Sequence, residues 1–299
     1  MEEFFSKLSR NNFIFNLLIL GRPWNAFLIG LFSLIGFLQI GSLENLFLLF
    51  LLFFSFFLQY TGGTILNDVY DISADRINMP YRPLESGVIK LEQAKLYMIA
   101  SYFISFVLGF FVSYYLFIGL LVFFVVTILY SVPPFRFVAR GFIGNFSLAT
   151  VSIFIPSVTG LAVASKSLFF NDIMLYLPFI FLTIFFSFFS IIKDFKDVVG
   201  DSKTNKKTFV VQCGETNASK IMIFGSVLFF LLSCFYFSKL IYYINFYYFF
   251  SAVILISLIY IEFNTLNKHN SQKDFENMFS NSRLLLFLYS IVLLFLFLY

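Results

Sequence analysis

The chain has 299 residues, of which 60% are hydrophobic and only 12% charged, with a net charge of +4 and a mean hydropathy of +0.90. Soluble domains carry roughly 25% charged residues, so the composition excludes an ordinary water-soluble globule and predicts a polytopic membrane protein. A single histidine, His269, and two cysteines without metal-type spacing, Cys213 and Cys234, exclude a histidine-rich metal centre, catalysis by a His base and a disulfide framework. The chemistry is left to carboxylates, Tyr, Lys and Arg.

Residues 1–12 are polar, and the apolar run after them contains Arg22 and continues into a full span, which is not the pattern of a cleavable leader. A bilayer core takes about 20 apolar residues per helix. On that rule nine spans are predicted: Trp24–Ile40, Leu46–Leu66, Leu91–Val112, Leu116–Tyr130, Phe142–Ala164, Ile173–Ile192, Ser219–Phe237, Tyr242–Ile261 and Leu284–Tyr299. Asn25, Pro156 and Thr159-Gly160-Leu161-Ala162 fall inside spans, where such residues are tolerated facing protein or a cavity. The 49 phenylalanines read as lipid-facing and packing surface. Every Lys and Arg except Lys166 and Lys239 falls on one side, in the N-terminal segment and the 2–3, 4–5, 6–7 and 8–9 connections. The positive-inside rule then predicts a cytoplasmic N-terminus and a C-terminus on the opposite side, as an odd number of spans requires. Topology accounts for the positive charge, so no nucleic-acid partner is expected. With no linker, residues 1–299 read as a single domain.

Six of the eight aspartates occur in two copies of D-x-x-D-x-x-x-D. The first spans Asn67-Asp68-Val69-Tyr70-Asp71-Ile72-Ser73-Ala74-Asp75 and the second Asp194-Phe195-Lys196-Asp197-Val198-Val199-Gly200-Asp201; both follow long apolar runs. On a helix, positions i, i+3 and i+7 lie within about 60° of one another. Each copy therefore predicts three carboxylates on one helix face at the mouth of a span, and both copies fall on the predicted cytoplasmic side. A solvated acidic surface does not explain the repeated spacing. An ion-coupled transporter predicts acids along the spans, not at their ends. Magnesium binds carboxylates together with substrate phosphates, so two facing triads suit a Mg²⁺-bridged diphosphate.

These segments resemble the UbiA superfamily of intramembrane prenyltransferases. The first motif with Arg76-Ile77-Asn78-Met79-Pro80-Tyr81-Arg82-Pro83-Leu84-Glu85-Ser86-Gly87 looks like its first signature. Lys193 followed by the second motif looks like the second, and Arg22-Pro23-Trp24-Asn25 resembles the segment opening its first helix. The resemblance implies an all-α bundle of nine transmembrane helices around a central cavity capped by cytoplasmic loops. It also implies transfer of a prenyl group from a polyprenyl diphosphate to a lipophilic acceptor within the lipid bilayer. Asn67, Asp68, Asp71 and Asp75 would then hold one Mg²⁺, and Asp194, Asp197 and Asp201 another. The first two acids of each triad (Asp68, Asp71, Asp194 and Asp197) are the leading ligands, and the third orients a cation. Arg22, Arg82 and Lys193 are candidates for the diphosphate. Tyr130 and Arg136, flanking Pro133-Pro134, resemble the family's Tyr and basic contacts. Asn25 and Asn145 line the cavity or bond between helices, and Lys203, Lys206 and Lys207 read as solvated loop charge.

The acceptor is less legible. Tyr130-Ser131-Val132-Pro133-Pro134-Phe135-Arg136 and Gly214-Glu215-Thr216-Asn217 look like the chlorophyll and bacteriochlorophyll synthase branch. Lys193 through Asp201 resembles the archaeal geranylgeranylglyceryl phosphate geranylgeranyltransferases and the homogentisate prenyltransferases. In the pigment synthases an Asn is expected at Lys193 and a non-acidic residue at Asp197. The reading leans to an isoprenoid lipid acceptor such as geranylgeranylglyceryl phosphate, with chlorophyllide esterification and aromatic quinone-precursor prenylation as alternatives.

Overall fold

The computed structural model describes residues 12–168 and 173–240. Every regular element among these residues is a helix, with no strand; one isolated bridge joins Arg140 to Lys207. Helix α1 (Phe13–Leu20) is capped by Asn12, whose side chain accepts from the Phe15 amide at 3.2 Å. Helix α2 (Pro23–Leu38) starts on a proline, which has no amide hydrogen to lose at a helix start. The two meet at a 51° bend at Gly21 and Arg22.

Helix α3 runs from Leu46 to Asn78, 33 residues, or about 50 Å at ~1.5 Å per residue. That exceeds a hydrocarbon core of about 30 Å, and Asp68, Asp71 and Asp75 lie in its last turns. The helix stops at Met79, the residue before Pro80, where α conformation is disfavoured. The predicted span Leu46–Leu66 is thus the apolar part of a longer rod.

Helices α4 (Leu91–Val112) and α5 (Tyr114–Ser131) form a tight hairpin around Ser113, whose hydroxyl accepts from the Tyr115 amide. Next come α6 (Phe142–Ala149), a π-helical turn (Thr150–Phe154) and α7 (Ile155–Ser165). This fifth span is one path interrupted near Pro156, which cannot donate to the helical ladder. Helix α8 (Leu177–Phe189) is followed by three short helices, α9 (Ile192–Phe195), α10 (Val198–Lys203) and α11 (Phe209–Cys213), and by α12 (Glu215–Leu240). Among the described residues, five segments are long and apolar enough to cross a membrane, and the bent α1–α2 pair makes a sixth. Helix α12 covers the seventh predicted span; the eighth and ninth, with His269, lie outside the described residues.

Helix α3 is central, packing against α2, α4, α5 and α10. Phe56, Phe123, Leu52, Leu116 and Leu120 are fully buried in one cluster between α3 and α5. Helices α2 and α7 cross backbone to backbone. A Cβ at Gly36 would lie 1.8 Å from the Ser157 carbonyl oxygen, and one at Gly160 would lie 1.9 Å from that of Ser33. Small residues permit such approach where lipid offers no hydrophobic drive for helices to associate.

Candidate active site

The first aspartate motif stays on one helix and its three carboxylates are buried on a common face of α3. Each is met by cations from other elements. Arg22, at the α1–α2 bend, pairs with Asp68. Arg82, in the loop after α3, places Nη1 2.8 Å from Asp75 Oδ2 and 3.7 Å from Asp68 Oδ1. Arg136, in the loop after α5, places Nη2 2.7 Å from Asp71 Oδ1. Asn67 donates to Asp71 Oδ2 at 3.2 Å.

The second motif departs from the predicted single face. Asp194 lies on α9, Asp197 stands at the break, and Asp201 lies on α10. Lys193 Nζ lies 2.8 Å from Asp194 Oδ1, and Lys196 Nζ lies 3.9 Å from Asp197 Oδ1. The break lets α10 fold against α3. Gly200 N donates to Asn78 Oδ1 at 2.7 Å, and Asn78 Nδ2 donates to the Asp197 carbonyl at 2.9 Å. A Cβ at Gly200 would lie 2.5 Å from Asn78 Oδ1, so a glycine is needed where the motifs meet.

Of the other predicted residues, Asn145 is buried and donates to Ser190 Oγ at 3.2 Å and Asp194 Oδ2 at 3.3 Å. Tyr130, near the end of α5, lies within electrostatic reach of Lys193, Lys206, Asp194 and Asp71, between the two motifs. Asn25 is turned to Tyr60, donating to its hydroxyl at 3.2 Å.

Two site residues carried no functional reading in the sequence. Lys206 is not solvated: its ammonium is buried 2.8 Å from Asp71 Oδ2 and 3.5 Å from Asp201 Oδ1, linking the motifs. Burial alone would lower its pKa, but the two carboxylates outweigh that and raise it. Glu85 is 9% exposed, and neither of its oxygens accepts a hydrogen bond. Burial, reinforced by Asp68 and Asp75, pushes its carboxyl up to about 7. Burial also pushes Asp201 up to about 7 against the opposing pull of Lys206. For Glu85 the local signal is its place in the Arg76–Gly87 segment after the first motif. Nothing local distinguishes Lys206 from Lys203 and Lys207, which are exposed.

The backbone at the cations is unusual. Four non-glycine residues among those described have positive φ, and three serve this site: Arg22 (49°), Arg136 (40°) and Asn205 (57°), which precedes Lys206. Left-handed backbone costs about 1–2 kcal/mol per residue, and such strain gathers where geometry is functional.

Six carboxylates thus face six cations. Among the described residues, no three acidic side chains converge into a ready ligand cluster, because guanidinium and ammonium groups lie between them. The donor set is nonetheless all hard oxygen, and Asp197 Oδ1 is buried without a hydrogen-bond partner, so it fits a magnesium ion.

The UbiA prenyltransferase family model matches residues 24–297. The chain belongs to the UbiA prenyltransferase family. It is therefore an integral membrane enzyme that transfers prenyl groups. Among its UbiA relatives, the digeranylgeranylglyceryl phosphate synthase of Saccharolobus solfataricus is 32% identical over 209 residues, covering 69% of this chain and 68% of that one. The protein of the same name from Methanosphaera stadtmanae is 30% identical, covering 73% and 76%. A solved structure concerning digeranylgeranylglyceryl phosphate synthase in membranes matches with a TM-score of 0.66 at 25% identity, covering 95% of this chain and 98% of that one. A UbiA homologue from Archaeoglobus fulgidus, bound to GPP and Mg²⁺, matches with a TM-score of 0.65 at 22% identity, covering 93% and 99%; that likeness shows the shared UbiA fold.

Proposed function

We propose that this protein transfers a geranylgeranyl group from geranylgeranyl diphosphate to the hydroxyl of geranylgeranylglyceryl phosphate. The observation that carries the reading is the meeting of two aspartate motifs inside a ring of six cations at the ends of apolar helices. The names of the relatives favour the lipid acceptor over chlorophyllide or an aromatic quinone precursor. The same reading takes the chain as one domain of nine spans, with its N-terminus, aspartate motifs and cap loops cytoplasmic and its C-terminus on the opposite side. The asymmetry of Lys and Arg supports that orientation.

Asp68, Asp71, Asp194 and Asp197, with Asn67, Asp75 and Asp201 in support, would hold magnesium, which would supply positive charge to the leaving diphosphate. Arg22, Arg82, Arg136 and Lys193 bind its oxygens, and Arg136 retains a buried Nε without a partner for that purpose. Tyr130 and Asn145 orient the groups between the motifs, and Asn25 with Tyr60 borders the cavity. The positioned cations stabilise charge that grows as the allylic C–O bond breaks. Apolar helices hold the prenyl chain and keep water from the carbocation. The acceptor hydroxyl forms the new C–O bond as the C–O bond to diphosphate breaks, and its proton passes to water or the released diphosphate.

The test is incubation of purified protein with labelled geranylgeranyl diphosphate, Mg²⁺ and a panel of acceptors, with products identified by mass. The expected product is the diether phosphate. Prenylation of an aromatic acceptor or chlorophyllide, with none of the glyceryl phosphate, overturns the acceptor assignment.

A further inference from the structure

Lys206 stands apart from the other site cations because it serves both motifs at once. Its Nζ lies 2.8 Å from Asp71 on α3 and 3.5 Å from Asp201 on α10, and its side chain is only 8% exposed. Tyr130 also faces it, and Arg136 shares Asp71 with it. The loop that presents it is anchored. Lys206 N donates to the Asp201 carbonyl at 2.8 Å, and the Lys207 carbonyl accepts from Gly141 N at 2.9 Å. The backbone is thus held, while the side chain is a flexible four-carbon arm ending in a compact point charge.

A compact cation between carboxylates of two motifs takes the place that a small hard metal ion takes, and Asp71 Oδ2, which already accepts from both Lys206 and Asn67, takes a metal ion only by giving up one of them. We propose that Lys206 is an exchangeable internal counter-ion. It keeps bare divalent cations from Asp71 and Asp201, and swings its charge onto the diphosphate when metal arrives with that ligand. The site thereby selects the metal–diphosphate complex over the free metal. The inference rests on the magnesium–diphosphate reading above. Its physical basis is that two buried carboxylates stripped of their counter-ion are strongly disfavoured unless another cation compensates them.

The consequence runs against the usual effect of removing a site residue. Lys206→Met in the purified full-length protein, titrated with Mn²⁺ alone and followed by electron paramagnetic resonance, is expected to bind the ion about tenfold more tightly than the unmutated protein. In the presence of saturating Mg²⁺, the same variant is expected to bind geranylgeranyl diphosphate about tenfold more weakly. Lys207→Met and Lys203→Met, at exposed positions on the same loop, change neither value. Should Lys206→Met misfold by thermal melting, Lys206→Gln takes its place in both titrations. Unchanged or weaker Mn²⁺ binding by the folded variant overturns the counter-ion role. If Asp68→Ala and Asp194→Ala also leave Mn²⁺ binding untouched, the magnesium reading itself falls, an outcome separable from failure at Lys206 alone.

Discussion

The two aspartate motifs share a spacing but are built differently. Asp68, Asp71 and Asp75 ride on the unbroken rod of α3; Asp75 is met by Arg82 seven residues on, but the partners of the other two arrive from far along the chain: Arg22 from 46 residues before Asp68, and Arg136 and Lys206 from 65 and 135 residues after Asp71. Asp194 and Asp197 are met by their own neighbours Lys193 and Lys196, across a break between two short helices. The first motif is a rigid face on which distant loops converge. The second is a hinge-like turn held in place by Asn78 and Gly200. Equal spacing therefore does not imply equal rigidity, and the two halves of the site should fail in different ways.

The largest effect is expected from removing one leading acid on either side. Asp68→Ala and Asp194→Ala should each lower prenyl transfer by roughly 10²–10³, the scale of losing one preorganised electrostatic contact. An intact rate in both would break the shared assignment, and loss in one alone would make the motifs unequal in function. Glu85 sharpens the comparison on the first side. Its carboxyl titrates near 7 in the folded protein against an ordinary value of 4.5. The folded state therefore binds the extra proton between those values, and stability falls as pH rises through them. Glu85→Gln should remove up to about 3 kcal/mol of that penalty, at ~1.4 kcal/mol per pH unit. In thermal melts without divalent cation it should melt higher than the parent at pH 8, with the gap closing near pH 4.5. A gap independent of pH would remove Glu85 from the electrostatics of the site.

Arg82 bridges Asp75 and Asp68 from a loop, so Arg82→Gln should weaken diphosphate binding about 10–100-fold, the value of a charge-assisted contact of about 1.5–3 kcal/mol. The KM for the acceptor should not move; an equal rise in both constants would point to a folding role. The smallest effect is expected at the hinge. Gly200→Ala forces a methyl into Asn78 and should cost about 1–3 kcal/mol as overpacking. It should lower the melting temperature and reduce Mg²⁺ affinity more than Asn67→Ala does. The reverse order would mean that the second motif holds its shape without α3.

Much of the helical plan is local and was legible. The spacing of apolar residues predicts Leu91–Val112, and that is where α4 begins and ends. The i, i+3, i+7 rule places Asp68, Asp71 and Asp75 on one face because α3 is continuous there. The same rule fails for the second triad, since the chain turns at Lys196 and Asp197, and periodicity does not see a turn that tertiary packing against Asn78 stabilises. Lys206 and its neighbours Lys203 and Lys207 share a residue type and a loop. Only the fold, which brings Asp71 and Asp201 to one point, separates a buried bridge from two exposed charges. Glu85 was likewise visible only as part of the segment after the first motif, not as an acid whose oxygens are left without a hydrogen-bond partner.

By itself, the sequence determined a membrane-embedded helical enzyme of the UbiA family with two acidic motifs, because hydrophobic length, helical period and short motifs are properties of neighbouring residues. The tertiary structure alone decided which cation meets which carboxylate, which acid is left unpaired and where the second motif bends. Those depend on contacts between residues far apart in the chain, where desolvation and charge compensation act through space.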